Sequence, residues 1–230
     1  MNTAAAEKLA ASPEGLTNQK AWSEWLAPLG ISNESHVLVY DANRQLAAAR
    51  VWWLLTYLGV EHVALLNGGF ALWQTEDRAV DTNLPAPGPS QHVVKLQANR
   101  LADREDVLTA LEKQEQKIVD ARSDAEFSGS ELRSKRGGHL PQACHLEWLT
   151  LVDADGRFLP TDQLRQRVKE LGIMPGDAVI AHCQGGGRAS VNAFALERLG
   201  FQTRNYYLGW SEWGNLNDTP IEKADKPEQP

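Results

Sequence analysis

One cysteine near the carboxyl terminus has the surroundings of a nucleophile. The apolar run 178–181 has the length of a buried strand and ends at His182 and Cys183, and three glycines then lead into a helical pattern that begins at Arg188. A glycine loop between a strand and a helix turns backbone N–H groups toward one point at the positive end of the helix dipole. A thiol at that point ionises easily, and the thiolate is the nucleophile of cysteine chemistry. We therefore predict that Cys183 is catalytic rather than an inert core residue.

The spacing between Cys183 and Arg188 distinguishes two kinds of cysteine chemistry. The loop has the form Cys-x4-Arg, and at these residues the chain resembles the rhodanese family of sulfurtransferases, whose active loop is a six-residue turn opened by cysteine. Cysteine phosphatases have one residue more, which makes a cradle for a tetrahedral phosphate. The shorter loop fits the single outer sulfur of a persulfide. We therefore expect sulfur transfer, with phosphatase or arsenate reductase chemistry as a second enzyme class.

Composition argues against several other functions. The chain has 230 residues, 42% of them hydrophobic, with a net charge of -7 and no basic run, which argues against nucleic acid or an anionic membrane surface as the main partner. Its two cysteines have no metal-ligand spacing around them, so we expect neither a disulfide framework nor a metal or other cofactor. No apolar run approaches the roughly 18 residues of a membrane span. We expect a cytoplasmic protein.

The chain contains two copies of one α/β unit. The Leu-Gly-Ile of 29–31 recurs at 171–173, and the Gly-Phe-x-x-Trp of 69–73 recurs as Gly-Trp-x-x-Trp at 209–213, each about 140 residues later. Short apolar strands alternate with helices, which predicts parallel sheets covered by helices on both faces. The predicted fold is therefore α/β with two parallel-sheet units in tandem, and the resemblance to rhodaneses implies that both are three-layer, rhodanese-like domains.

The first copy differs from the second in two ways. The strand that opens the second copy, near residue 117, has no counterpart in the first, which is therefore incomplete. Asp41 takes the place of Cys183, and a carboxylate cannot carry sulfur as a persulfide, so the first copy lacks the nucleophile. We divide the chain into a partial, non-catalytic domain (1–80), a linker (81–100), a catalytic domain (101–216) and a tail (217–230).

The pattern also predicts individual elements. We expect residues 1–16 to be loosely ordered and the tail to be frayed. The predicted helices are 19–29, 45–58 and 103–114, and the predicted strands are 37–40, 62–66, 117–120, 178–181 and 205–208.

Further motifs of the second copy extend the resemblance to rhodaneses. Asp-x-Arg at 120–122 is followed by Glu126-Phe127, then Gly-His-Leu-Pro-x-Ala at 138–143, the Cys183 loop and Gly-Trp-x-x-Trp. The resemblance implies a five-stranded parallel sheet and two half-reactions. Cys183 takes sulfur from a donor as a persulfide, and an acceptor then removes it.

The resemblance also implies roles for the residues around Cys183. The loop amides would stabilise the persulfide anion, and Arg188 would bind an anionic donor. Arg122 either contacts the donor or pairs with Asp120 or Glu126, and His182 either tunes the thiol or faces the core. We expect Cys144 to be structural. The remaining residues of the predicted active-site loop are Gln184, Gly185, Gly186, Gly187, Ala189 and Ser190.

The donor and the partners are predicted at a coarser level. We favour thiosulfate because a charged arginine closes the loop, with 3-mercaptopyruvate as the alternative and a thiol or cyanide as acceptor. A non-catalytic binding or sulfur-carrier module is the remaining alternative. Because the first copy lacks a strand, it would leave an open sheet edge through which the protein could oligomerise.

Overall fold

The computed structural model describes residues 3–83, 86–88 and 90–223, and they form two units. One unit is Met1–Arg100 with Val152–Phe158, and the other is Leu101–Leu151 with Leu159–Pro230. Residues 152–158 lie inside the range predicted for the catalytic domain, but the structure groups them with the first unit. Parts of the predicted linker and tail, namely residues 84, 85, 89 and 224–230, lie outside the described residues.

The first unit surrounds a short parallel sheet with helices. Its elements are α1 (Thr3–Leu9), α2 (Pro13–Thr17), α3 (Gln19–Leu26), β1 (His36–Val39), α4 (Leu46–Tyr57), β2 (His62–Leu65) and α5 (Gly69–Thr75). Strands β1 and β2 pair in parallel, from His36 opposite His62 to Val39 opposite Leu65. In the described part of the chain β1 pairs with β2 alone, and the side chains of Leu38 and Tyr40 are exposed.

The amino-terminal segment is more ordered than the sequence predicts. Residues 1–16 were expected to be loosely ordered, but α1 and α2 begin within them. Ala6, Ala10 and Leu16 are buried, and Ser12 caps α2 by accepting a hydrogen bond from the Gly15 N–H. Alanine has the highest helix propensity and no side chain to exclude, so an alanine-rich helix can pack without showing an apolar stripe in its sequence.

The second unit contains a five-stranded sheet in the order β3-β7-β6-β4-β5, with all its strand pairs parallel. Its strands are β3 (Leu101–Ala102), β4 (Gln116–Asp120), β5 (Cys144–His145), β6 (Ala178–His182) and β7 (Gln202–Tyr206). Its helices are α6 (Arg104–Lys113), α7 (Asp124–Ser128), α8 (Thr161–Glu170), α9 (Gly187–Arg198) and α10 (Gly209–Trp213). The predicted α/β class with parallel sheets is confirmed.

The register of this sheet defines the edge at which the site lies. Asp120 is opposite His182, and His182 is opposite Tyr206. Three neighbouring strands therefore end at the same level, and the residues that follow them lie at the carboxyl edge, where parallel α/β sheets place their ligands.

Strand β7 begins earlier than the sequence predicts. The apolar run suggested 205–208, whereas the strand is Gln202–Tyr206. The polar residues at its start have tertiary partners: the Arg204 guanidinium donates to the Leu101 carbonyl and to Asp106, and the Thr203 hydroxyl donates to Glu197. The partners of Arg204 lie 103 and 98 residues away and that of Thr203 lies six residues away, and local hydrophobicity reveals none of these polar contacts.

The predicted tail is packed as far as the structure describes it. Glu222 and His139 exchange backbone hydrogen bonds of 2.8 and 2.9 Å, the Trp213 indole N–H donates to the Pro220 carbonyl at 2.9 Å, and Thr219 is buried. The expectation of a frayed tail is therefore wrong for residues 217–223.

Candidate active site

Cys183 lies between the end of β6 and the start of α9. Its side chain is almost completely buried, with 2% of the residue exposed. Its carbonyl accepts a hydrogen bond from the Trp210 N–H at 2.8 Å. A Cβ at Gly209 would lie 2.2 Å from the Cys183 carbonyl oxygen, so the loop and the start of α10 approach as closely as only glycine allows. Two separate elements thus fix the backbone of Cys183.

Gly186 is the hinge of the Cys183 loop (residues 183–188). Its φ of +75° places it in the left-handed region at the amino-terminal cap of α9, and a Cβ there would lie 2.4 Å from the Tyr207 ring. Its carbonyl accepts hydrogen bonds from the Ser190 hydroxyl at 2.8 Å and the Asn205 amide at 3.1 Å. Ser190 therefore holds the loop through its side chain, a role the sequence did not predict for it.

Gln184 ties the loop to the segment Gly129–Gly138. The Gln184 amide donates to the Arg133 carbonyl at 3.2 Å and to the Ser134 hydroxyl at 3.3 Å. The backbone carbonyl of Gln184 accepts a hydrogen bond from the Ser211 N–H at 2.9 Å. By contrast, Gly185 has open space where a Cβ would be. The loop is therefore anchored on both sides of Gly185.

The equivalent loop of the first unit shows what this backbone does to an anion. Asp41 follows β1, and its carboxylate accepts hydrogen bonds from the N–H groups of Asn43, Gln45, Ala47 and Ala48 at 2.8 to 3.1 Å. The last two belong to the first turn of α4, whose N–H groups have no partner within the helix. We call residues 41–47 the Asp41 loop.

The two loops align through their helix caps. Gln45, with a φ of +72°, caps α4 as Gly186 caps α9. The amides of Arg188 and Ala189 are therefore the counterparts of the two helical amides that bind the Asp41 carboxylate. Sequence comparison had paired Asp41 with Cys183 but had not revealed that Asp41 fills an amide cradle.

Arg188 is held by Glu126 from α7. Its guanidinium donates to both carboxylate oxygens of Glu126, with Nη2 at 2.9 Å from Oε1. Burial alone would raise the pKa of Glu126, but the hydrogen bonds and charge of Arg188 outweigh it and hold that pKa at about 2. Burial alone would lower the pKa of Arg188, and Glu126 and the neighbouring Cys183 instead raise it. The guanidinium of Arg188 is thus protonated and held in one orientation, and the carboxylate of Glu126 compensates most of its positive charge.

Arg122 lies inside the protein. It is 1% exposed, donates to Asp120 from Nε at 3.0 Å and from Nη2 at 2.6 Å, and also donates to the Gly138 carbonyl. Its guanidinium carbon lies 4.2 Å from the centre of the Trp210 ring. Of the two roles left open by the sequence, this geometry favours the pairing with Asp120.

His182 is completely buried beside this pair, with Nε2 at 3.4 Å from the Asp120 carboxylate. Burial lowers the pKa of His182 to about 4 and outweighs the attraction of Asp120, so the ring is neutral at pH 7.

Burial also raises the pKa of the Cys144 thiol in β5, which disfavours the thiolate there. Cys144 thus lacks the setting of a nucleophile.

The roles of two residues near the loop, Glu126 and Arg133, were not predicted from the sequence. The sequence offered Glu126 as part of a motif and as a possible partner of Arg122, whereas the structure pairs it with Arg188, and the sequence predicted no role for Arg133. The guanidinium of Arg133 is 3.5 Å from Glu126 Oε1. A cluster of basic residues between the glycines at 129 and 138 was the available signal.

The described residues contain neither a cluster of metal ligands nor a helix that could span a membrane. No group of three or more His, Cys, Asp and Glu side chains in that part of the chain could hold a metal ion. No helix there is long and apolar enough to cross a membrane.

Known proteins resemble this chain over most of its length. The family model of the rhodanese-like domain matches residues 7–76 and 103–216. The thiosulfate sulfurtransferase of Azotobacter vinelandii is 34% identical over 84% of this chain and 72% of its own length. The 3-mercaptopyruvate sulfurtransferase of Escherichia coli K12 is 30% identical over 91% of this chain and 76% of its own length.

Solved structures agree in fold. The anaerobic ergothioneine biosynthesis enzyme of Chlorobium limicola superposes with a TM-score of 0.84 at 21% identity, over 98% of this chain. The chain spans 63% of that protein's length.

The chain belongs to the rhodanese family. The expectation of a rhodanese-type sulfurtransferase is thereby confirmed.

Proposed function

We propose that the protein moves sulfane sulfur from a small anionic donor to a thiol or cyanide through a persulfide on Cys183. The observation that supports this most directly is the position of Cys183 at the carboxyl end of β6, in a loop whose counterpart holds a carboxylate on four backbone amides. The same cradle around Cys183 would hold the terminal sulfur of a persulfide anion.

The first half-reaction is a displacement at sulfur. The Cys183 thiolate attacks the outer sulfur of thiosulfate, the bond between the two sulfurs of the donor breaks, and sulfite leaves with the electron pair. With 3-mercaptopyruvate the leaving group is the enolate of pyruvate, which takes up a proton. In the second half-reaction the acceptor attacks the terminal persulfide sulfur, and Cys183 regains its thiolate.

The surrounding residues have distinct roles in this proposal. The amides of Gln184 to Ala189 stabilise the persulfide as an oxyanion hole stabilises oxygen, while Ser190 holds the Gly186 carbonyl. Arg188 adds fixed positive charge beside the cradle, and Glu126 sets its direction. Arg122 pairs with Asp120 and thereby stabilises the structure next to the loop, rather than contacting the donor.

We favour thiosulfate as donor because arginine side chains lie at the loop and a dianion gains more from nearby positive charge than a monoanion does. We also retain the catalytic range 101–216 and the structural role of the first copy.

Both cysteines are free, which suits the reducing cytoplasm that we propose as location. Oligomerisation through β1 stays a prediction, and a monomeric mass by light scattering would contradict it.

The decisive experiment compares Cys183→Ser with Cys144→Ser. Thiocyanate formation is measured with thiosulfate and with 3-mercaptopyruvate, using cyanide as acceptor, and folding is checked by thermal unfolding. We expect Cys183→Ser to fold and to lose turnover below detection, because serine forms no persulfide. The variant Cys144→Ser is the matched control and should keep its activity.

Other outcomes would count against the proposal. Retained turnover in Cys183→Ser would exclude the persulfide, and a folded parent that is inactive with both donors would favour the binding module. Hydrolysis of an aryl phosphate that depends on Cys183 would favour phosphatase chemistry.

A further inference from the structure

Positive charge is concentrated beside the Cys183 loop in a protein that is acidic overall. The segment Gly129–Gly138 contains Arg133, Lys135 and Arg136 against a single carboxylate, Glu131, while the net charge of the chain is -7. Arg136 is committed to structure, since its guanidinium donates to the carbonyls of Trp213 and Thr219. The exposed cations of the segment are therefore Arg133 and Lys135.

Arg133 is the one placed at the loop by its contacts. Its carbonyl accepts the Gln184 amide of the loop at 3.2 Å. Its guanidinium lies 3.5 Å from Oε1 of Glu126, and the same carboxylate receives two hydrogen bonds from Arg188. Backbone and side chain of Arg133 thus both meet groups that surround Cys183.

The charges of this cluster do not cancel. Arg188 and Arg133 share the single carboxylate of Glu126, and the geometry with Arg188 is bidentate while that with Arg133 is long. Glu126 therefore neutralises Arg188 and leaves one positive charge in excess. The neighbouring pair of Arg122 and Asp120 is already balanced.

The excess charge is also available to a ligand. The Arg133 side chain is 49% exposed, whereas that of Arg188 is 15% exposed. The contact between Arg133 and Glu126 is long, at 3.5 Å, and Glu126 keeps its two hydrogen bonds from Arg188, so exchanging this contact for a donor oxygen leaves no carboxylate unpaired. A guanidinium also matches sulfonate and carboxylate groups with two parallel hydrogen bonds.

We propose that Arg133 is the residue that binds the anionic group of the sulfur donor and selects dianionic over monoanionic donors. This rests on the proposed function, since it assigns a role in loading Cys183. Arg188, which the sequence favoured for donor binding, keeps the electrostatic role at the cradle. The donor's charged end then lies at the exposed guanidinium while its outer sulfur points to the buried thiol.

The test measures the first half-reaction alone. Persulfide formation on Cys183 is followed by quenching and intact-mass spectrometry as a function of donor concentration, at low ionic strength. Three variants are compared with the parent. They are Arg133→Gln, which removes the charge, Arg133→Lys, which keeps it, and Lys113→Gln, which removes an exposed charge from the last turn of α6 at the opposite edge of the sheet.

We expect Arg133→Gln to lower the second-order rate constant for thiosulfate about tenfold, the equivalent of about 1.4 kcal/mol for a charge-assisted contact. The rate at saturating thiosulfate should stay within about twofold, because the reacting atoms are untouched. The loss should be smaller with 3-mercaptopyruvate and should shrink at high salt. Arg133→Lys should restore most of the rate, and Lys113→Gln should match the parent.

The possible failures are distinguishable. A parent that forms a Cys183 persulfide while Arg133→Gln loads at the same rate would overturn this inference and leave the proposed function intact. An equal loss in Lys113→Gln would also overturn it, because the effect would then be a general one of net charge. A loss in Arg133→Gln that is confined to the rate at saturating donor would overturn it as well. A parent that forms no persulfide with either donor would overturn both.

Discussion

The Asp41 loop and the Cys183 loop are one backbone device with two different residues at its centre. The backbone carbonyl of Asp41 accepts a hydrogen bond from the Phe70 N–H at 2.7 Å, and that of Cys183 accepts one from the Trp210 N–H at 2.8 Å. In both cases the donor residue directly follows a glycine. In each, a residue with positive φ caps the following helix. The geometry that makes one loop reactive is therefore present in the unreactive copy as well.

The difference lies in what fills the amide cradle. Asp41 brings its own negative charge and uses four N–H groups, so the loop is complete and inert. Cys183 has a single sulfur, which is a weak acceptor as a thiol and a nucleophile as a thiolate. The comparison teaches that one arrangement, a strand followed by a positive-φ cap and a helix, can hold either a carboxylate or the proposed sulfur nucleophile, although the Asp41 loop has one residue more before its cap.

Within this comparison, the largest expected effect on turnover comes from adding one methyl group at Gly186 of the Cys183 loop. Gly186→Ala places a Cβ 2.4 Å from the Tyr207 ring at a φ of +75°, so we expect a loss of about 1 to 3 kcal/mol in the free energy of unfolding. Because the loop must shift, turnover should fall about 100-fold. The Asp41 loop tolerates a side chain at this position, since Gln45 has nearly the same φ.

Gly185→Ala is the matched control for the hinge, because its Cβ meets open space. Thiocyanate formation and thermal unfolding are measured for both variants. Equal activity of Gly186→Ala and the parent would show that loop geometry does not limit the reaction.

A second change empties the cradle of the first copy. Asp41→Ala removes the acceptor of four N–H groups, and at about 1 kcal/mol each we expect a loss of about 4 kcal/mol of stability in the first unit. Hydrogen exchange of the amides of residues 43–48 reports this locally and should become faster. Asp41→Asn keeps one acceptor oxygen and should show a smaller increase.

The empty cradle of Asp41→Ala should also respond to added anions. We expect sulfate to raise its thermal midpoint more than that of the parent, because the freed amides favour a negative charge. An Asp41→Ala variant with unchanged exchange and no response to sulfate would break the analogy between the loops.

The last prediction concerns stability at low pH through an ion pair that the Asp41 loop lacks, since Ala47 stands where the Cys183 loop has Arg188 when the loops are aligned at their helix caps. The folded pKa of Glu126, about 2, lies below its ordinary value of 4.5. The unfolded chain therefore binds a proton first as the pH falls, and the stability from Glu126 is present above pH 4.5 and is lost toward pH 2. The corresponding free energy is on the order of 3 kcal/mol.

Urea unfolding between pH 6 and pH 2 checks this prediction. Glu126→Gln should lack this part of the pH dependence and be less stable at neutral pH, while Glu131→Gln, which removes an exposed carboxylate, should follow the parent. An unchanged pH profile in Glu126→Gln would show that the pair with Arg188 contributes nothing to folding.

The position of Cys183 between a strand and a helix, and the repeat, were predictable from the sequence because they depend on neighbours along the chain. Strand length, three glycines and a helix pattern are local signals, and so are the paired motifs around Asp41 and Cys183. Predicted helices and most strands agree with the structure within a few residues for the same reason. The amino-terminal helices and the start of β7 were missed because burial of alanine and the partners of Arg204 arise only on folding.

The electrostatic arrangement of the site was decided by the tertiary structure. Arg122 and Arg188 look alike in sequence, yet one is buried against Asp120 and the other is held by Glu126 from a different helix. The excess charge at Arg133 exists because two arginines share one carboxylate across 62 and 7 residues of chain. Charge balance depends on distances in space, and those distances follow from how β4, β6 and α7 pack, which local sequence does not encode.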